Sequence, residues 1–344
     1  MGRIQAPQMK SVFSFVLALV VSLACAQGAL HSPDQVQIGG REYVRLTDWA
    51  RANDLDVRWL KRDETLQLTG RSARLFLNVD SCEARINGIT VWLLAPVAHR
   101  NGTVYIAQQD VPSTLNPILY PSGNDSRAHA IKTICLDPGH GGADPGYCVG
   151  ANREAKYTLL LVQELRQQLI GAGFKVALTR SSDSAVDLPA RPELAKRRKA
   201  DLFVSLHFNA VESAPNSVHG TEVYCLTPAG ACSTNARGEA GNANPCAGNR
   251  LDEKNLFLAY QVQKSLTRTL ETEDRGVRRA RFAVLREAVM PAILIEAGYL
   301  SHPAEGRKIL DPAYRREIAR AIVQGVLSYK HLVEPAADIR TARR

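Results

Sequence analysis

Three apolar segments in the second half of the chain each run into a residue that can bind a metal or move a proton. Ile134-Cys135-Leu136-Asp137-Pro138-Gly139-His140 delivers His140, Phe203-Val204-Ser205-Leu206-His207 delivers His207, and Ile293-Leu294-Ile295-Glu296 delivers Glu296. Short continuous apolar runs of this kind are the pattern of strands buried on both faces, which in turn requires helices above and below the sheet. The intervening sequence supplies them. A helix is expected from about Ala155 to Ile170, with Leu161, Val162, Leu165 and Leu169 on one face and Gly171-Ala172-Gly173 as its stop. Further strands are expected at Lys175 to Thr179 and Glu222 to Cys225, with helices from Pro189 to Lys199, around Ala259, Val262, Leu266 and Leu270, and from Pro312 to about Tyr329. This alternation predicts an α/β catalytic domain over residues 131–331, a largely parallel sheet flanked by helices.

In an open parallel sheet the carboxyl ends of the strands line the ligand crevice, so His140, His207 and Glu296 are candidates to meet there. Glu154 is a fourth candidate. It opens the helix after the first strand, where the positive end of the helix dipole favours its ionised form. Two neutral imidazoles and a carboxylate form a donor set suited to Zn²⁺, with water in the remaining tetrahedral position. A lone histidine in a Gly-rich turn is usually structural. Joint placement at strand ends favours a site.

The order of the motifs carries more. Leu136 to Gly142, Asp144-Pro145-Gly146, Glu154, Thr179 to Asp183, Leu188 to Arg191, Ala200 to Asn209, Val284-Leu285-Arg286 and Met290 to Leu300 occur in sequence. In this the region 131–331 resembles the zinc-dependent N-acetylmuramoyl-L-alanine amidases of the amidase-3 family. The resemblance implies that His140, Glu154 and His207 hold zinc and that Glu296 is the catalytic carboxylate. Asn209 and Arg286 are the candidate substrate contacts; Arg286 has a second reading as an ion-pair partner of Glu296. Two positions depart from the family pattern, Lys196 and His302, where asparagines are common. The implied substrate is peptidoglycan, cut between N-acetylmuramic acid and L-alanine.

Residues 33–120 read as short strands and turns with a helix at about Leu46 to Asn53, a small α+β accessory domain. It resembles the copper amine oxidase N-terminal-like domain and contains no catalytic cluster. The polar stretch 121–130 reads as a linker and 332–344 as a basic tail. At the start, Arg3 and Lys10, the apolar run Ser11 to Leu23 and Ala24-Cys25-Ala26 have the order of an export signal, residues 1–26. The expected location is therefore the periplasm or the cell exterior and wall. No apolar run is long enough for a stable membrane span. The formal net charge of +9 then points to wall polymers, peptide carboxylates and lipid phosphates, not nucleic acid. Its clusters, among them Arg275, Arg278, Arg279 and Arg281, each read first as a solvated face.

Six cysteines follow the signal, an even number that suits an oxidising compartment, and Cys232 with Cys246 is the expected local pair. Both lie within a polar insert, 227–250. It reads as a surface loop, with control by an activator protein as the alternative. A dinucleotide fold fails because Asp144 stands where the third glycine of G-x-G-x-x-G belongs. Two rivals remain: a wall-binding protein without turnover, and a zinc hydrolase of another amide.

Overall fold

The computed structural model describes residues 35–121, 130–235 and 244–334. The expected export signal, most of the linker, the centre of the polar insert (236–243) and the tail beyond 334 lie outside the described residues. The strands in chain order are β1 (Gln35–Ile38), β2 (Arg41–Arg45), β3 (Asp56–Lys61), β4 (Thr65–Thr69), β5 (Arg74–Asn78), β6 (Glu83–Ile86), β7 (Ile89–Trp92), β8 (Ala98–Arg100) and β9 (Thr103–Ala107). They continue with β10 (Thr133–Pro138), β11 (Cys148–Val149), β12 (Asn152–Arg153), β13 (Lys175–Leu178), β14 (Leu202–Asn209), β15 (Thr221–Leu226), β16 (Asp274–Ala280) and β17 (Ala292–Tyr299). The helices are α1 (Leu46–Ala52), α2 (Asn116–Leu119), α3 (Glu154–Gly171), α4 (Ala190–Arg197), α5 (Asp252–Leu270), α6 (Ala283–Arg286), α7 (Pro303–Leu310) and α8 (Pro312–Val333).

Eleven strands form one sheet, in the order β13-β10-β14-β17-β15-β16-β7-β6-β5-β4-β3. β13, β10, β14 and β17 are parallel, β15 is antiparallel to β17, and β16 is again parallel to β15. The largely parallel pattern thus holds for the second half of the chain. β7 then adds to β16 in parallel, and β7 to β3 continue as an antiparallel meander, so the sheet as a whole is mixed. The accessory segment therefore extends the same sheet, and by contact the described residues form one compact unit. Strands β1, β2, β8 and β9 form a separate four-stranded sheet.

The two faces of the large sheet are built differently. On one, Leu136, Val204, Leu206, Val223, Val277, Ile293 and Ile295 join Leu66, Leu68, Leu75, Leu77, Ile86 and Val91 in a single apolar core. Helices α3, α5 and α8 supply its other side through residues such as Leu161, Leu165, Leu256, Val262, Ile322 and Val326. Each fully buried Leu, Ile or Val stabilises by about 1.5–3 kcal/mol, so this shared core outweighs any contact made singly. On the other face Phe203, Leu294, Tyr224, Leu226 and Ala280 pack under α4 and α6 as a smaller cluster. Toward the carboxyl ends of β14 and β17 this second face carries polar residues instead.

The described cysteines are all free, which overturns the expected Cys232–Cys246 bridge. Cys232 Sγ instead accepts from Arg41, while Cys246 Sγ contacts Asn249 Oδ1 at 3.2 Å at the start of a short 3-10 turn, Ala247–Leu251. Cys135 and Cys225 behave as small apolar core residues.

Candidate active site

Register places the site. His207 on β14 lies opposite Glu296 on β17, and Glu296 lies opposite Glu222 on β15, so the three side chains share the polar face. His140 comes from the turn after β10, with φ at +61°, a left-handed conformation uncommon outside glycine. The surrounding structure holds this turn by buried hydrogen bonds. Arg191 donates to Pro138 O and His140 O at 2.9 Å, and Arg180 donates to Gly139 O at 2.7 Å. Asp137 anchors the clamp: its carboxylate accepts from Thr179 Oγ1 (2.6 Å), Ser205 Oγ (2.8 Å) and Arg191 (2.9 Å). Gly139 allows the close approach of the two histidines, since a Cβ there would lie 2.2 Å from His207 Cε1.

Glu154, the first residue of α3, is 4% exposed, and its Oε1 lies 3.1 Å from both His140 Nε2 and His207 Nδ1. Ligand atoms of these three residues all fall within 4.8 Å of one another. Phe208 N donates to the same oxygen at 3.1 Å and Tyr147 N to Oε2 at 3.0 Å. Burial raises the Glu154 carboxyl, but its hydrogen bonds and charge pairing with the two imidazoles outweigh that and hold it far below the usual carboxylate range. Burial likewise opposes charge on His140, yet Glu154 and Asp144 together push its pKa up. His140 Nδ1 contacts Asp144 Oδ2 at 2.8 Å, which orients the ring and turns Nε2 toward Glu154.

Glu296 is partly buried, and its Oε2 has no hydrogen-bond partner. Burial first, then the charges of Glu154 and Glu222, push its carboxyl well above the ordinary value. A carboxyl in this state favours taking up a proton, the property required of a general base.

The other two candidates differ. Asn209 sits at the end of β14, but its Nδ2 donates to Glu222 Oε1 at 2.6 Å and to Tyr299 OH at 3.1 Å, so both amide hydrogens are engaged. Arg286 is half exposed, lies 3.8 Å from Glu287, and makes no ion pair with Glu296. His302 caps α7, its Nδ1 accepting from Glu305 N at 3.1 Å, the task an asparagine performs at a helix start.

Sequence reading missed the charged wall beside Glu296. Glu222 is buried between Arg278 (2.8 Å) and Arg275 (3.6 Å), and Arg279 is fully buried, donating to Ser113 O. The arginine cluster of β16 is thus built into the sheet and is no solvated face. No local period marks it: Arg275 and Arg278 are three residues apart, and it is the register shift between the Thr221–Asp274 and Glu222–Gly276 pairs that lets both reach Glu222.

Comparisons with known proteins identify the family. The profile of the N-acetylmuramoyl-L-alanine amidase family matches residues 134–328, and that of the copper amine oxidase N-terminal domain matches residues 30–124. The chain is 35% identical over 231 residues to the N-acetylmuramoyl-L-alanine amidase AmiC of Neisseria meningitidis serogroup B, covering 61% of this chain and 55% of that protein. It is 30% identical over 250 residues to AmiA of Escherichia coli K12, covering 66% and 85%. The chain thus spans about half the length of the Neisseria relative and most of the Escherichia one. Among solved structures, the AmiC2 amidase of Nostoc punctiforme superposes with a TM-score of 0.49 at 30% identity, over 59% of this chain and 99% of that one. With more than half of its length matched by the family profile, this chain belongs to the N-acetylmuramoyl-L-alanine amidase family.

Proposed function

We propose that the chain hydrolyses the amide bond between N-acetylmuramic acid and the L-alanine of the peptidoglycan stem peptide, with zinc held by His140, Glu154 and His207 and with Glu296 as the proton carrier. The observation that carries this is the convergence of Glu154 Oε1, His140 Nε2 and His207 Nδ1, with Glu296 on the adjoining strand. Two ring nitrogens and one carboxylate oxygen fit zinc in type and number, leaving one position open. The contact of His140 Nδ1 with Asp144 adds the carboxylate–histidine arrangement usual behind a metal-ligating imidazole. When bound, the ion supplies Lewis acidity to the scissile carbonyl and to a water beside it.

The protein's own groups do the rest. Glu296 takes the proton of the attacking water and returns it to the leaving amine; its buried, unpartnered oxygen favours the first transfer. Asp137, Arg180 and Arg191 hold the His140 turn rigid. The proposal extends to export into the periplasm or wall, where the polymer lies. No helix among the described residues is long and apolar enough to cross a membrane. It extends also to an activator acting on 227–250, the first part of which is held by Thr234 to Arg279 and by Gln109 to Ala229.

The test is digestion of purified peptidoglycan with the zinc-loaded protein, read by mass spectrometry, beside Glu296→Gln. Free stem peptides beginning at L-alanine are expected, with turnover of the variant reduced by about 10²–10⁴ and its zinc content unchanged. Cleavage at another amide would reject the substrate, and loss of zinc in the variant would make Glu296 a ligand.

A further inference from the structure

We propose that Arg278 and Trp92 form a carboxylate subsite for the stem peptide, so that the accessory segment contributes directly to substrate recognition. The inference rests on the amidase reading above. Arg278 lies on the same sheet face as the site: it pairs in register with Tyr224, two residues along from the Gly276–Glu222 pair, which continues to Glu296 and His207. Its guanidinium sits 4.3 Å over the ring of Trp92, on the neighbouring β7. Trp92 is itself fixed, its Nε1 donating to Arg275 O at 3.1 Å. The close pairing of the two strands depends on Gly276, where a Cβ would lie 2.9 Å from Thr90 O.

Only one edge of Arg278 is used by the protein. Nε meets Glu222 at 2.8 Å and Arg275 O at 3.3 Å, and the terminal nitrogens have no partner among the described residues. They are donors in a planar fork matched to a carboxylate. Arg275 does not compete for the same ligand, because its guanidinium is paired with Glu273 at 3.1 Å as well as with Glu222 at 3.6 Å. The Trp92 face fixes the plane of the fork and shields one side of it from water.

Distance selects the part of the substrate. Arg278 is two strands across and two residues along from Glu296, about 12 Å at the usual strand spacings. An extended peptide covers that in about three residues. The subsite therefore reads a carboxylate roughly two to three residues past the scissile bond, a feature of acidic stem peptides.

The experiment uses the full zinc-loaded chain and two soluble muropeptides, one with its stem carboxylates free and one with them amidated. For the native chain, kcat/KM should be about 10–100-fold higher on the free form, the difference residing in KM. Arg278→Gln should abolish that preference, and Trp92→Ala should reduce it. Equal KM for the two substrates with the native chain overturns the proposal without needing any variant. A preference retained in Arg278→Gln, or a loss confined to kcat, also overturns it and makes the arginine a support of Glu222. Product masses decide the amidase reading separately: cleavage between muramic acid and L-alanine upholds it whatever the preference, and its absence on both substrates rejects both.

Discussion

Arg191→Met tests whether the turn carrying His140 is held by the buried clamp. The Arg191 and Asp137 side chains are 5% and 1% exposed and meet at 2.9 Å. Methionine keeps much of the side-chain volume but removes four hydrogen bonds, to Asp137, Pro138 O, His140 O and Val186 O. Removing one member of a buried pair leaves an uncompensated charge and costs about 3–5 kcal/mol. At about 2 °C per kcal/mol for a chain of this size, Tm should fall by about 6–10 °C. Asp137→Asn/Arg191→Met should recover part of the loss, because the amide leaves no unpaired charge, its oxygen accepts from one of the Thr179 and Ser205 hydroxyls, and its NH2 can donate to the other. Zinc affinity should drop about 10–100-fold, the scale for groups that orient metal ligands. Thermal unfolding followed by circular dichroism and competition with a zinc chelator would measure both. A fall under about 2 °C with unchanged affinity would refute the reasoning.

Three further outcomes follow from named contacts. Gly139→Ala drives a Cβ against the His207 ring, so zinc content should fall while the far-ultraviolet spectrum stays native; full zinc occupancy would contradict the crowding. Asp110 is buried and its pKa is pushed up to about 6, chiefly by desolvation, so the folded state holds its proton more tightly than the unfolded chain. Its stabilising contribution is present below about pH 4 and lost as pH rises through about 6; the stability gap between the native chain and Asp110→Asn should therefore shrink over that window in denaturant titrations, and a constant gap would exclude it. Deleting residues 35–121 uncovers Val277 and one side of α5, so the remaining fragment should aggregate or unfold, and a soluble fragment with native stability would refute the shared core.

The candidate cluster was legible because each of its residues is tied to a local pattern. His207 and Glu296 close apolar strands, Glu154 opens a helix, and His140 lies in a glycine turn, so short-range sequence states their positions. The clamp was half legible: Asp137, Arg180 and Arg191 sit in the motifs that carried the resemblance, but their task depends on contacts 41–54 residues apart. The wall beside Glu296 was not legible. Asp274–Ala280 holds three arginines in seven residues, and nothing local reveals that Glu222 and Trp92 stand on either side to receive them.

The same blindness hid the join between the two family-matched segments. Without β7, strand β16 would be the edge of the sheet, with backbone groups open to pairing with another chain. The accessory segment removes that edge by supplying β7, and the meander behind it buries the apolar side of Leu66, Leu75 and Ile86 against the core that α5 shares. Tyr260 of α5 fastens the join, its hydroxyl donating to Ile86 O at 3.1 Å. Because one sheet then carries both His207 and Trp92, rigidity at the candidate metal cluster and the shape of the wall beside it are set by one hydrogen-bonded surface. Substitutions along β7 that leave the proposed zinc ligands untouched should therefore alter KM before they alter zinc binding.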